Sequence, residues 1–542
     1  RGVLLRMRTI KKDGEVFEPE FVAGKRTVTM PHLEVGDYIE TETIWLLPGD
    51  GQGGRAFLSP RWWFRERNVS YHLSEFVVVS PANRRLAIET TGDVPEPVVE
   101  HNGALTVRRW RVDKSPALPE ERYGVPYQEF LPSVRVGWGI DLEERLRRLI
   151  DTHRDETPQD PRLRRIARSI VAGGLVKGDK TAAEREAAKL SVDRRAKRIY
   201  RWVLDNVQAG RERFPPRIIT GEAGDRTRAF VHLCRLAGID ARLGVVQNRL
   251  SPPPAGPFSR ALKFTEPAVR LATERGPRWL TVGERFAPYG YLPSFLRGQP
   301  AVLLDLSEPW TQDEPLPIVT ERTEAAGTED RIATVGTAKL RADGSAALEL
   351  KQQYHGKYAV VLRTRLSKVR QARLKDVVEA EVLGLALPGA RLTDLSIDQL
   401  DDLDAPVGLT LTIEAPTFAK PADGVLAITA PFVPRLGALV ELPERETPLY
   451  LAEKVATNLS VRLTVELPKA SQVVTKLESA SHDNGDRHVK NQDRLDGGKL
   501  VLHRTIAVPA GRVQPSEYPA FRTFVLAADA ALHRSVRVKL GR

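Results

Sequence analysis

The stretch GEAGDRTRAFVHLCRLAGIDARLGVV, residues 221–246, decides how the rest of the chain is read. Phe230, Leu233, Cys234 and Ala237 recur at helical spacing and share one face, while Gly238 stands where a helix stops. The segment ARLGVVQ that follows reads as a strand. A helix of this kind can present a nucleophile from its first turn. The residue at that place is Ala223, and the single cysteine, Cys234, comes eleven positions later.

A cysteine nucleophile needs a lowered pKa, commonly from a helix N-terminus, and an imidazole as base. Cys234 lies near the C-terminal end of its helix, where the dipole disfavours a thiolate, and it shares the apolar stripe. No histidine occurs between His232 and His355. Cys234 therefore reads as a small core residue.

Around this helix, residues 140–151, 160–174 and 191–208 place apolar residues at i, i+3, i+4 and i+7, the stripe of helices packed on a common core. Strand-like segments at 241–247, 267–273 and 278–285 follow, broken by SPPPAGP at 251–257. Helices followed by strands make this region α+β. Residues 1–135 read instead as antiparallel strands with period-two alternation, a hairpin turn at Asp13-Gly14 and a loop at 48–54, the pattern of a sandwich.

After 315 the alternation returns, with a hairpin around Ala342-Asp343-Gly344, a helix over 358–384, a terminal helix within 516–535 and a last strand at 536–540. The expected fold class is a multidomain α+β chain: an N-terminal antiparallel β sandwich (1–135), a central α+β core (136–314) and a C-terminal β-rich domain (315–542).

The chain has 542 residues, 41% hydrophobic and 28% charged, as an ordinary globular protein of several domains does. No apolar run approaches the ~18 residues of a membrane helix, so no transmembrane segment is expected in this chain. One cysteine excludes an internal disulfide and a multi-cysteine zinc site. The net charge of +12 invites a nucleic-acid reading. The densest basic stretch, 143–170, interleaves acids with its arginines at helical spacing, so a solvated helix face is preferred and no nucleic-acid partner is expected. An opening at Arg1 in place of Met is the expected mark of a processed product or a fragment.

Other motifs fall short. GGLVKGDKT at 173–181 has Asp179 between Gly178 and Lys180, which spoils a phosphate loop. The Asp-rich 482–498 lacks calcium-loop spacing and reads as a polar hairpin loop. There is neither an HExxH nor a G-x-S-x-G element, so no metal or cofactor is expected.

Residues 25–42, 196–207, 221–246, 264–271, 278–293 and 516–532 together resemble bacterial transglutaminase-like proteins in which a papain-like core follows an N-terminal β domain of unknown function. In active relatives the helix opens on a GDCKDKA-like motif whose cysteine stands fifteen residues before the glycine of GI-x-A. That count falls on Ala223, with Asp225 and Arg226 on the following DK. The family's histidine matches Glu266 and its orienting aspartate matches Thr281. The resemblance implies a triad degenerate at Ala223, Glu266 and Thr281, since a methyl group cannot attack an acyl carbon and threonine has no imidazolium to orient.

The expected function is a catalytically inactive binding or scaffolding module of the bacterial cell envelope, with a protein or peptide ligand and Asp225, Arg226, Trp279 and Arg285 lining the cleft. Periplasmic or envelope location follows from the resemblance alone. The alternative is a hydrolase using Glu266 with Asp225 or Glu284 as a carboxylate pair, which needs the carboxyls to converge at about 5–9.5 Å. As plain structure, Asp225 and Arg226 are helix-start charge and a surface ion pair.

Overall fold

The computed structural model describes residues 2–20, 27–46, 56–143, 146, 160–173, 189–254, 256–304, 318–325, 329–384, 386–422 and 424–541. The loop at 48–54, most of the helix at 140–151 and nearly all of the near-phosphate loop at 173–181 lie outside the described residues. The chain is multidomain and strand-rich, with many antiparallel sheets.

The N-terminal strands form three sheets. Gly2–Ile10 pairs with Tyr38–Trp45 and, through the Asp13-Gly14 turn, with Val16–Phe17. Ser133–Trp138 pairs with Ala87–Thr91, Phe57–Leu58 and Trp62–Trp63. Leu105–Ser115 pairs with Tyr71–Pro81 and Val98–Asn102. The last two sheets share a core of Phe64, Trp110, Val134 and Val136. The strand at 133–138 runs through the boundary expected at 135, because its pairing with 87–91 continues to Gly137.

In the central region four helices, α1 (Pro161–Ala172), α2 (Val192–Asn206), α3 (Pro215–Gly221) and α4 (Arg226–Leu236), pack on one face of a sheet. Their starts are written in the sequence. Asp160, Ser191 and Asp225 each accept from a main-chain N–H of the first turn, satisfying an otherwise orphaned donor. The sheet comprises β1 (Ala241–Gln247), β2 (Phe264–Thr273), β3 (Gly276–Leu280), β4 (Pro300–Leu304) and β5 (Ile318–Arg322), in the antiparallel order β3-β2-β1-β4-β5.

Phe230, Leu233 and Cys234 of α4 meet Ile199, Tyr200 and Val203 of α2 and Val269, Leu271 and Leu280 of the sheet. Each such large apolar side chain contributes ~2 kcal/mol by leaving water. The fifth strand lies beyond the boundary expected at 314, and Glu324 after it accepts from the main-chain N of Trp279 at 3.1 Å.

The C-terminal region is built on an eight-stranded sheet, antiparallel except where Ile332–Leu340 runs parallel to Thr457–Glu466. The single helix expected over 358–384 is interrupted. Its first part, α5 (Lys357–Leu366), ends where the Ser367 hydroxyl donates to the Thr364 carbonyl and competes with the helical ladder, and helix resumes at Leu374–Val378. The polar segment 482–498 is strand and not a loop: Ala480–Asn484 and Arg487–Asp496 pair with each other, and the latter pairs with Lys499–Val508. Asn491 and Asp493 point inward there because the buried Arg504 bonds both. A last helix, α6 (Tyr518–Leu532), packs beside them, and its Ala531 and Leu532 carbonyls accept from Asn491 and Arg504.

Among the described residues no helix is long and apolar enough to cross a membrane. Among the same residues no cluster of histidine, cysteine and acidic side chains has the makings of a metal site.

Candidate functional site

The start of α4 is held by a strap of chain. Gln208 and Ala209 pair in parallel with Ala223 and Gly224, and the Asp225 N–H bonds the Glu212 carbonyl at 2.9 Å. Gly224 has φ +143°, and a Cβ there would meet the Glu212 carbonyl at 2.7 Å, so only glycine lets the strap approach. Arg226 donates to the carbonyls of Val207 at 2.7 Å and Gly283 at 3.0 Å, which joins the strap, the helix and the segment that follows β3.

Beside this junction opens a cleft of about 540 Å³ whose lining includes Arg211, Arg213, Asp225, Arg226, Thr227 and Gly283. Its one carboxylate is engaged. Asp225 caps α4 through the Arg228 N–H at 3.2 Å and lies 3.5 Å from the Arg228 guanidinium. Burial holds the Arg226 guanidinium below its ordinary value, and the nearby charge of Arg285 acts in the same direction. With Arg211, Arg213 and Arg226 against one engaged carboxylate in its lining, the cleft is positive.

Of the expected catalytic places, Glu266 and Thr281 lie at one end of the sheet, and none of the three lines this cleft. Val269 pairs with Leu280, so Glu266, three residues before, and Thr281, one residue after, lie at the same end of β2 and β3. Their side chains serve other partners. The Glu266 carboxylate accepts from Asn248 at 3.3 Å and from Thr265 at 3.2 Å, and the Thr281 hydroxyl donates to the Tyr291 carbonyl at 3.3 Å. Ala223 is exposed in the strap ladder and is not among the residues that line the cleft.

Of the four residues expected to line the cleft, Asp225 and Arg226 do. Trp279 does not: it is 1% exposed on the sheet face away from the helices, against Leu292, Leu296 and Leu303. Strand alternation sends it there, since its neighbour Leu280 faces the helices. Arg285 is exposed over Phe286 and reaches the cleft only through its charge. Glu284 lines a separate cavity with Tyr291, Asp330 and Glu453, and Glu266 is in the lining of neither that cavity nor the cleft.

Cys234 is fully buried and burial pushes its thiol up from the ordinary value, the reverse of what a nucleophile needs. Arg211 and Arg213 escaped the sequence reading. Their one signal was the run GRERF, 210–214, between two helices, which as sequence is an ordinary polar connection.

Comparison with known proteins gives two likenesses. A family model described as a domain of unknown function with a solved structure, DUF3858, matches residues 429–537. A crystal structure from Parabacteroides distasonis, described as that of a "putative protease", is similar over 100% of this chain and 89% of that one, with a TM-score of 0.57 and 13% identity. That likeness is one of fold. No curated protein matches.

Proposed function

We propose that this chain is a non-catalytic member of the transglutaminase-like, papain-like class, acting as a binding or scaffolding module whose central cleft takes the carboxylate of a peptide or protein ligand. In this reading the chain divides into an N-terminal β sandwich to about residue 138, a central core through Glu324 and a C-terminal β-rich domain. The fold likeness to a chain described as a protease fits a protease-like scaffold at the centre.

One observation carries the proposal. Where the resemblance asks for a thiol, base and acid, the chain has Ala223, Glu266 and Thr281, and the cleft at the start of α4 offers Arg211, Arg213 and Arg226 around a carboxylate already in use. Guanidinium groups in a concave site bind carboxylates bidentately and do no acyl chemistry unaided. Envelope location belongs to the same proposal through the resemblance, and fractionation of source cells tests it.

The binding experiment is a calorimetric titration of the full chain with a glutamate-rich decapeptide and with its glutamine counterpart. The glutamate peptide binds, salt weakens it, and Arg211→Ala with Arg213→Ala weakens it about tenfold. Equal binding of the two peptides, or indifference to the arginines, contradicts the proposal. Ala223→Cys, Glu266→His and Thr281→Asp together test the degenerate places: gain of a titrating thiolate and of acyl transfer supports them, and a silent triple variant speaks against them.

A further inference from the structure

A second cleft, of about 540 Å³, lies in the N-terminal region far along the chain from the central one, and its walls are aromatic: Trp62, Trp63, Tyr71 and Tyr127. Exposed aromatic rings cost free energy in water unless something covers them. Trp62 is 41% exposed, yet it is not loose. Its ring stacks on Phe76 at 5.7 Å and 14°, and Phe76 in turn packs on the buried Trp110 at 5.8 Å. The indole N–H donates to the Oγ of Ser74, itself 4% exposed, at 3.1 Å. One face of the indole is thus anchored to the core, its rotation is fixed by a hydrogen bond, and its remaining surface is open.

The polar groups of this cleft are balanced. Arg61 and Arg65 stand against Glu66 and Glu75. Arg61 is turned inward to Glu89, Thr91 and Ser133, and Arg65 donates to the Pro116 and Ala117 carbonyls. Tyr71 donates to Glu66 at 2.5 Å, and Arg109 donates to Glu75 at 2.8 Å. Each carboxylate keeps further acceptor capacity.

From this arrangement we infer that the cleft binds a neutral carbohydrate, with a pyranose ring laid on Trp62 and its hydroxyls donating to Glu66 and Glu75. A ring bearing axial C–H groups covers an indole face, and vicinal hydroxyls supply the donors that two carboxylates need. The balance of two cations and two anions selects against a strongly charged ligand. A proline-rich peptide would also cover the aromatic walls, but its tertiary amides have no N–H to give the carboxylates.

The test is calorimetric titration of the full chain with chitohexaose, cellohexaose and maltohexaose, with tryptophan fluorescence followed in parallel, and with decaproline as the competing probe. One of the three sugars binds at or below about 1 mM, Trp62→Ala weakens it at least about tenfold, and Trp45→Ala leaves it unchanged. Glu66→Gln with Glu75→Gln keeps the fold by circular dichroism and weakens binding about fivefold, which decides the matter if Trp62→Ala fails to fold. Absence of binding by all three sugars at about 10 mM, or binding of decaproline alone, overturns the inference.

Discussion

Arg226, in the first turn of α4, donates to the Gly283 carbonyl across 3.0 Å and so ties the helix to the segment that follows β3. Its Nε makes a second such bond to Val207 at 2.7 Å. Arg226→Ala leaves both carbonyls without that donor and costs about 2 kcal/mol, read as a lowered urea midpoint. Arg226→Lys recovers less than half, because a single ammonium does not reproduce the planar fork. A midpoint unchanged by the alanine variant would contradict this role.

The one cysteine gives a second expectation. Cys234 is fully buried and its thiol is held in the protonated form by burial. A thiol-labelling reagent at neutral pH leaves the native protein unmodified and reacts once urea unfolds it. Cys234→Ala costs about 1 kcal/mol of packing and leaves peptide binding intact. Rapid labelling of the native chain would reopen the possibility of thiol chemistry.

In the C-terminal sheet Arg504 is 0% exposed, and its guanidinium meets both oxygens of Asp493, with the Nη2–Oδ2 bond at 3.1 Å. Asp493→Ala strands a buried cation and costs about 3–5 kcal/mol. Replacing both partners by apolar residues costs far less, which a double-mutant cycle measures. Additive losses from the two single variants would show that the pair is not coupled.

Acid should weaken the tie between the N-terminal and central regions. Burial pushes the Glu89 carboxyl up, but the N–H and hydroxyl of Ser259 and the Arg61 guanidinium outweigh it and hold the group below the usual value. A lowered folded-state pKa stabilises above the unfolded value and loses that contribution as pH falls through the folded one. Stability of the wild type therefore drops more steeply than that of Glu89→Gln between neutral pH and about pH 3. Parallel curves for the two proteins would contradict the linkage.

Much of this architecture was legible in the sequence because it depends on local rules. The apolar stripes of α1, α2 and α4, the helix-start charge of Asp225 and the turns at Gly14 and Gly344 each act within a few residues. What was hidden depends on distant partners. Asn491 and Asp493 look like loop residues until Arg504 is placed beside them.

At the site, Asp225 and Arg226 were legible from their place at a helix start. Trp279 was misplaced because motif matching fixes a residue's order along a strand and not its face. Arg211 and Arg213 belong to a strap whose docking against Gly224 no local pattern announces.

The central claim is that the cleft at the start of α4 binds without reacting. The most direct measurement incubates the wild-type chain with a glutamine-bearing peptide library and a primary amine across neutral pH, and follows both hydrolysis and isopeptide formation by mass spectrometry. The account predicts neither product above the rate without protein, with or without the arginines at 211 and 213. Turnover that is lost on substituting Asp225 or Glu266 would contradict it.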